Sequence, residues 1–310
     1  MIVGITGLHR DEAGSRQTIG AGKDATAEVL ISKHGFVRIG LADPLKRICR
    51  EVFDFSDDQL WGPSDSRNAP DKRYPRGHEH GAANRNKYNE LSQELDRRLN
   101  GPPAGTNLPA TDLKPMSEFD LKKLREEINN YESWGWLTPR HALQQLGTQW
   151  GRDCYGDVWI NYGLRIAHEL LKDKSMAYTA KDGLIPLVQQ YPQGEFEAVE
   201  NWPKPLKGVV FSDVRFFNEY KAIKDAGGKM VRVRRFSWTK FNTAVDKQHA
   251  SETQLSGYGD DQFDYIIDNS GSLHDLAMNV DRMVDVFTGK IRPYDEDQKD
   301  VPPFLRQPST

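Results

Sequence analysis

The chain has 310 residues, with 42 Lys and Arg against 45 Asp and Glu, a formal net charge of −3. That near balance argues against a general nucleic-acid binder, which carries a basic excess, but leaves room for a local basic site for phosphate. With 28% charged and 37% hydrophobic residues, no run of roughly 18 apolar residues to cross a membrane, and only Cys49 and Cys154, the composition predicts a soluble protein of a reducing compartment without a disulfide framework or zinc site.

In chain order, Ile2-Val3-Gly4-Ile5-Thr6 reads as a buried strand. Met1 leads straight into it, so no signal peptide is expected and the expected location is cytoplasmic. Helical periodicity covers 25–33, Gly35 supplies a left-handed cap, and a second strand is expected over 36–41 before a helix over 44–53. Residues 62–115 are polar and rich in breakers, with a short helix expected over 88–99. Ser117 then caps a clearer helix with Leu121, Leu124, Ile128 and Tyr131 at helical spacing, so a first insertion runs over about 62–135. Thr138-Pro139 starts another helix, and one more spans 157–171. Pro, Gly and aromatics over 174–207 predict a second insertion, a hairpin or lid. Strands at 209–212, 230–234 and 265–267 follow, with helices at 216–226, closed by Gly227-Gly228, and 272–287. From Lys290 the acidic, proline-containing residues 290–310 predict an extended tail. Short apolar strands alternating with helices indicate an α/β fold: a mostly parallel five-stranded sheet with helices on both faces, here carrying two large insertions.

Gly20-Ala21-Gly22-Lys23-Asp24 sits between the first strand and the first helix. Glycines there let backbone amides approach phosphate oxygens at a helix N-terminus, and Lys23 would neutralise β- and γ-phosphates. The match to G-x-x-x-x-G-K-[ST] is imperfect: Gln17 takes the first-glycine position, Asp24 the hydroxyl position, and the segment 8–18 lengthens the loop by about ten residues. Asp24 or Thr26 would hold Mg²⁺, unless Asp24 merely caps the helix.

Projected at 100° per residue, Ala142, Leu143, Leu146 and Trp150 share one side, and Arg140, Gln144, Gly147, Thr148 and Arg152 the other. That polar face fits either an anionic ligand or a solvated helix. Asp213 and Arg215 directly follow a strand, where open α/β sheets bind ligands. Asp213 would meet a ligand or magnesium waters, or else cap the next helix and pair with Arg215. His249-Ala250-Ser251-Glu252 reads as lid or structure, since sequence supplies neither a positioned base nor an oxyanion hole. The eight histidines show no metal-ligand spacing.

Together, Gly20–Asp24, Leu41-Ala42-Asp43-Pro44-Leu45-Lys46, Thr138-Pro139-Arg140, Leu143-Gln144, Gly147-Thr148, Gly151-Arg152-Asp153, Trp159, Asp213-Val214-Arg215-Phe216, Asn218-Glu219, His249, Ser251-Glu252 and Asp268-Asn269-Ser270-Gly271-Ser272-Leu273 resemble the tailed-phage deoxynucleoside monophosphate kinase family. These P-loop kinases are related to dephospho-coenzyme A kinase. The resemblance implies a kinase domain over 1–289 that uses ATP and Mg²⁺ to phosphorylate a small-molecule deoxynucleoside monophosphate and supply DNA precursors, with no nucleic-acid or membrane partner. Lys23 and the loop, Gly20 to Asp24, would hold the ATP phosphates, and Asn269 and Gly271 would flank adenine. Asp43 and Lys46 would lie near the acceptor, and Arg140, Gln144 and Arg152 would contact its phosphate or the transferring group. Arg67 and Arg73 are lesser candidates, and the metal would fall to Asp24 and Asp213. Two rival readings are a dephospho-coenzyme A kinase-like enzyme and a nucleotide-binding protein without turnover. A homodimer fits the surface that the tail and insertions offer.

Overall fold

Five strands form the parallel part of one sheet: β1 (Ile2–Asp11), β2 (Phe36–Arg38), β3 (Gly208–Phe211), β4 (Lys229–Ser237) and β5 (Tyr265–Asp268). The computed structural model describes residues 1–11, 16–17, 20–77, 79–101, 116–190, 196–198, 202–203, 205–237 and 254–291. The strand order is β5-β4-β1-β3-β2, and every neighbouring pair is parallel. Parallel neighbours need long crossovers, which helices supply. These are α1 (Lys23–His34), α2 (Val158–Lys172) and α3 (Phe217–Asp225), with α4 (Leu273–Phe287) following the last strand.

Alternation along each strand sends neighbouring side chains to opposite faces. Val3, Ile5, Val210, Val231, Val233 and Ile267 pack with Ala27 and Leu30 of α1 and Leu276, Val280 and Met283 of α4. Ile2, Val209, Phe211 and Met230 pack with Ile160, Ile166, Ala167 and Leu170 of α2 and Ile223 of α3. The expected α/β sheet, covered on both faces, is therefore present. Left-handed glycines end two helices as expected, Gly35 at φ 68° and Gly227 at φ 73°.

Strand β1 runs five residues past its expected end at Thr6. It pairs with β4 from Val3↔Lys229 to Asp11↔Ser237, and Arg16–Gln17 folds back on it antiparallel. Part of the lengthened loop is thus sheet. A long β4 offers backbone partners whatever the side chains, so the polar His9-Arg10-Asp11 extends the strand without an apolar pattern. Arg232 lies inside β4, 1% exposed. Its guanidinium donates to the carbonyls of Leu255 and Tyr258 and pairs with Asp260, tying 254–260 to the sheet.

The stretch 174–207 forms antiparallel hairpins, Met176–Thr179 with Gly183–Pro186 and Val188–Gln190 with Phe196–Ala198. Tyr178 of the first hairpin is buried in the α2 side of the core, with Met176 and Leu184 packed against it. His249, Ser251, Glu252 and the expected tail beyond 291 lie outside the described residues.

The chain divides into two compact units, Met1–Leu41 with Gly156–Thr310, and Ala42–Tyr155. In the second, helices Asp43–Phe53, Asp57–Trp61 and Ser64–Asn68 are followed by strand Asp71–Pro75, which pairs with Trp136–Leu137. Helices Glu79–Asn100 and Glu118–Gly135 pack on each other. The helix expected over 88–99 is thus only the second part of a 22-residue helix, whose first part lacks apolar periodicity. Cys49, Phe55, Leu60 and Ala142 form the small core of this unit. Ser117 and Thr138 cap their helices as predicted, accepting from the amides of Asp120 and His141.

After Gln144 the helix changes to a π-helix over Gln145–Arg152. Bonds from i to i+5 alter the angle per residue, so the 100° projection fails beyond this point. Trp150, expected on the apolar side, is 58% exposed, and Gly147, expected on the polar side, is buried near Leu45. Among the described residues no helix is long and apolar enough to cross a membrane.

Candidate functional site

The carboxyl end of β3 and the start of α1 bring together one group of polar side chains in the first unit. Gly20 and Gly22 adopt left-handed φ of 74° and 98°, and Gly22 caps α1, so Lys23 is the first helical residue. Lys23 Nζ donates to Asp213 Oδ1 at 2.5 Å, and Arg215 Nε donates to Asp213 Oδ2 at 2.7 Å. Burial by itself would raise the Asp213 pKa, but the charges of Lys23 and Arg215 outweigh it and hold the carboxyl below its usual range. Two cations meet on one carboxylate at a helix N-terminus, a setting that suits an anion.

The turn between β5 and α4 is fastened to the same loop. Asn269 Nδ2 donates to the Ala21 carbonyl at 2.9 Å. A Cβ on Gly22 would come within 2.1 Å of that nitrogen, so this close approach requires glycine. Gly271 is less tightly confined: a Cβ there would meet Asp275 Oδ2 at 2.7 Å, and Asp275 closes the capping box with Ser272.

The oxygen donors proposed for metal differ in availability. Thr26 is fully buried and its Oγ1 donates to the Gly22 carbonyl, so the hydroxyl serves the helix. The Asp24 side chain is 80% exposed, with Ser212 Oγ at 3.5 Å and Arg38 Nη1 at 3.7 Å. Asp213 already has a cation on each oxygen, so Asp24 is the carboxylate that fits a phosphate-bound cation. Left-handed glycines, a helix N-terminus and Lys23 fit a polyphosphate. No group of three or more His, Cys, Asp or Glu that could hold a metal occurs among the described residues.

Arg38, at the end of β2, was not among the residues expected from sequence. Its Nη1 and Nη2 lie 3.7 Å from Asp24 and Glu28, and its Nε is buried without a hydrogen-bond partner among the described residues. The available signal was its position, a cation at the carboxyl end of an apolar strand.

A second group assembles in the second unit. Asp43 is buried in the first turn of its helix, and Lys46 lies one turn on. Burial lowers the Lys46 pKa, Asp43 opposes that, and Arg67 lowers it further. Lys46 Nζ also sits 5.6 Å from the centre of the Trp61 ring. Arg67 donates to Ser64 Oγ, and its Nε is buried without a hydrogen-bond partner among the described residues. The next residue, Asn68, accepts from Arg140 Nε at 2.5 Å. Three helices thus bring the predicted Asp43, Lys46, Arg67 and Arg140 together, with cations in excess.

Arg73 plays a different part. It binds both Asp71 oxygens and the Asp54 carboxylate and carbonyl, bracing the turn after Phe53. Its hydrogen bonds hold the Asp71 pKa at about 2. Gln144 follows Arg140 by one turn and is exposed, and Arg152 ends the π-helix, partly buried.

No protein-family profile matches the chain. A protein of Acanthamoeba polyphaga mimivirus named "Putative deoxynucleotide monophosphate kinase" is 23% identical over 266 residues, which cover 86% of this chain and 92% of that protein.

Proposed function

We propose that the chain is a nucleotide kinase that transfers the γ-phosphoryl group of ATP to a deoxynucleoside monophosphate. The observation that carries this reading is Lys23, the first residue of a helix behind left-handed Gly22, held by Asp213 at the carboxyl end of a parallel sheet. The name of the mimivirus protein, matched over most of both chains, supports the same class.

In this reading Lys23 and the amides of 20–24 bind the β- and γ-phosphates, and Asn269 and Gly271 shape the wall beside adenine. Asp24 would hold the Mg²⁺ that accompanies ATP, which would supply neutralisation of the phosphate charge. Lys46, Arg67 and Arg140 take the acceptor phosphate, with Gln144 and Arg152 carried on the same helical segment as Arg140. Asp43 tempers the positive charge of that group, and Asp213 and Arg215 hold Lys23 in place until phosphate replaces the contact. The acceptor phosphate is mostly dianionic at pH 7 and is itself the nucleophile, so the protein supplies no general base. Positioning and charge neutralisation are its work.

The test is ADP release with Mg²⁺-ATP and a panel of deoxynucleoside monophosphates, ribonucleotide controls and dephospho-coenzyme A. Turnover with deoxynucleotides, lost in Lys23→Ala, is the expected result. ATP binding without turnover on any acceptor would overturn the proposal in favour of a nucleotide-binding protein. Turnover on dephospho-coenzyme A alone would move it to another substrate class.

A further inference from the structure

The phosphate loop is built from residues that do little to fix their own backbone. Gly20 and Gly22 take left-handed φ of 74° and 98°, and glycine enters such conformations at little steric cost while remaining free to leave them. The first-glycine position of the usual motif is Gln17, which pairs with His9 on β1 instead of shaping the turn. Local preference alone therefore does not set where the loop amides point.

Two side chains from the β4 and β5 side of the loop take over that task. Arg235, on β4, donates from Nη1 to the Gly20 carbonyl at 3.4 Å. Asn269, just beyond β5, donates from Nδ2 to the Ala21 carbonyl at 2.9 Å. Consecutive carbonyls are thus held, and the Asn269 bond is the shorter and the less exposed of the two. Ala21 itself is fully buried. Asn269 is in turn fixed by its own surroundings. Its amide donates to the Arg234 carbonyl at 2.7 Å, the Ser270 amide to Asp268 Oδ1 at 2.9 Å, and Asn279 Nδ2 to the Asp268 carbonyl at 3.0 Å.

A trans peptide directs its carbonyl and the N–H that follows to opposite sides. With the Ala21 carbonyl turned toward Asn269, the Gly22 amide is aimed away from it. Gly22 immediately precedes Lys23, and amides at a helix start have no partner inside the helix. We propose that Asn269 is a positioning residue for the phosphate loop: by holding the Ala21 carbonyl, it fixes the Gly22 amide in the direction from which it donates to a nucleotide phosphate. The inference rests on the kinase reading for that phosphate and deepens it, since the Asn269 side chain then serves the phosphates and not only the wall beside adenine. An amide oriented before the ligand arrives spares the complex the cost of ordering a glycine loop.

The experiment titrates the full chain by calorimetry with two probes, inorganic tripolyphosphate and ATP, each with Mg²⁺. Tripolyphosphate carries no base, so it senses the loop and not the adenine wall. In Asn269→Ala both affinities should fall by the same factor, about fivefold or more. Asn269→Asp keeps the shape without the donor and should lose at least as much. A thermal melt checks that both variants fold, and the ratio of the two affinities is internal to each. Weaker ATP with unchanged tripolyphosphate would assign Asn269 to adenine and overturn the inference. A lowered Tm with both affinities intact would overturn it too, as the mark of a bond that only fastens the turn. If neither probe binds the unsubstituted chain, the kinase reading falls and takes the inference with it. If both bind in an Asn269-dependent way and no deoxynucleotide is phosphorylated, the kinase reading falls alone.

Discussion

Lys23 has a side chain only 10% exposed, yet it keeps a full partner in Asp213. An ion pair with a buried ammonium is a poor source of stability, because desolvation offsets its attraction. In the proposed reaction this one holds an ammonium where an anion takes it over. Lys23→Ala should therefore cut turnover by at least about 10², the scale of removing one preorganised electrostatic donor. The fold should survive, because Arg215 still pairs with Asp213. Steady-state ADP release and a melt read the two effects, and near-normal turnover would exclude Lys23 from the site. Asp71 serves stability instead. Its pKa of about 2 lies below the ordinary 3.8 because Arg73 binds the charged form. A depressed carboxylate contributes stability that is complete above the unfolded value and lost as pH falls through the folded one. Asp71→Asn should thus lower stability by about 1–3 kcal/mol at pH 7, and urea midpoints should show the gap narrowing between pH 4 and pH 2. A gap that stays constant with pH would mean that the Arg73 contact is not its source.

At the scale of elements, the π-helix over Gln145–Arg152 decides where side chains point. An α-helical continuation buries Trp150 with Ala142 and Leu146, and truncating it would cost about 3–5 kcal/mol. The observed geometry leaves Trp150 58% exposed, so Trp150→Gln should shift stability by less than about 0.5 kcal/mol in a urea melt. A large loss would restore the α-helical projection. The helix starts at Ser117 and Thr138 were legible because a hydroxyl cap is a local signal, written within three residues. The π-turn has no such signal, since it depends on packing such as Gly147 against Leu45. Nor was the far half of β1 legible, because its pairing depends on β4, more than 200 residues away. Glycine was informative where conformation demands it. Gly22 combines φ 98° with the approach of Asn269, and an alanine there costs about 1–2 kcal/mol for the backbone before the clash is counted.

Across the whole molecule, the apolar strands alone made the parallel sheet readable, because strands buried on both faces have a continuous hydrophobic pattern. The division at residues 41 and 156 was not: the segment 42–61 reads as part of the same helix-strand alternation, and only its tertiary contacts group it with the insertion. Likewise Arg38 belongs to no motif, and its buried Nε, without a hydrogen-bond partner among the described residues, is visible only in three dimensions. The division supplies a test that separates the two halves of the reaction. The residues proposed for ATP lie in the first unit, and those proposed for the acceptor in the second. A ligand that binds only the folded state at 100 times its Kd stabilises by about 2.7 kcal/mol, a rise in Tm of roughly 5–10 °C for a unit of this size. Mg²⁺-ATP should produce that shift in the unsubstituted chain, and Lys23→Ala and Gly22→Ala should lose it. Arg140→Ala and Arg152→Ala should keep the ATP shift while turnover falls by about 10² or more, because stabilising charge on a transferring phosphoryl group is worth that much or more. If Arg152→Ala abolishes the ATP shift as well, Arg152 belongs to the ATP side and the acceptor group shrinks to Lys46, Arg67 and Arg140. If it keeps both the shift and the turnover, the π-helix carries Arg152 for structure, and the transferring phosphate is met by other cations.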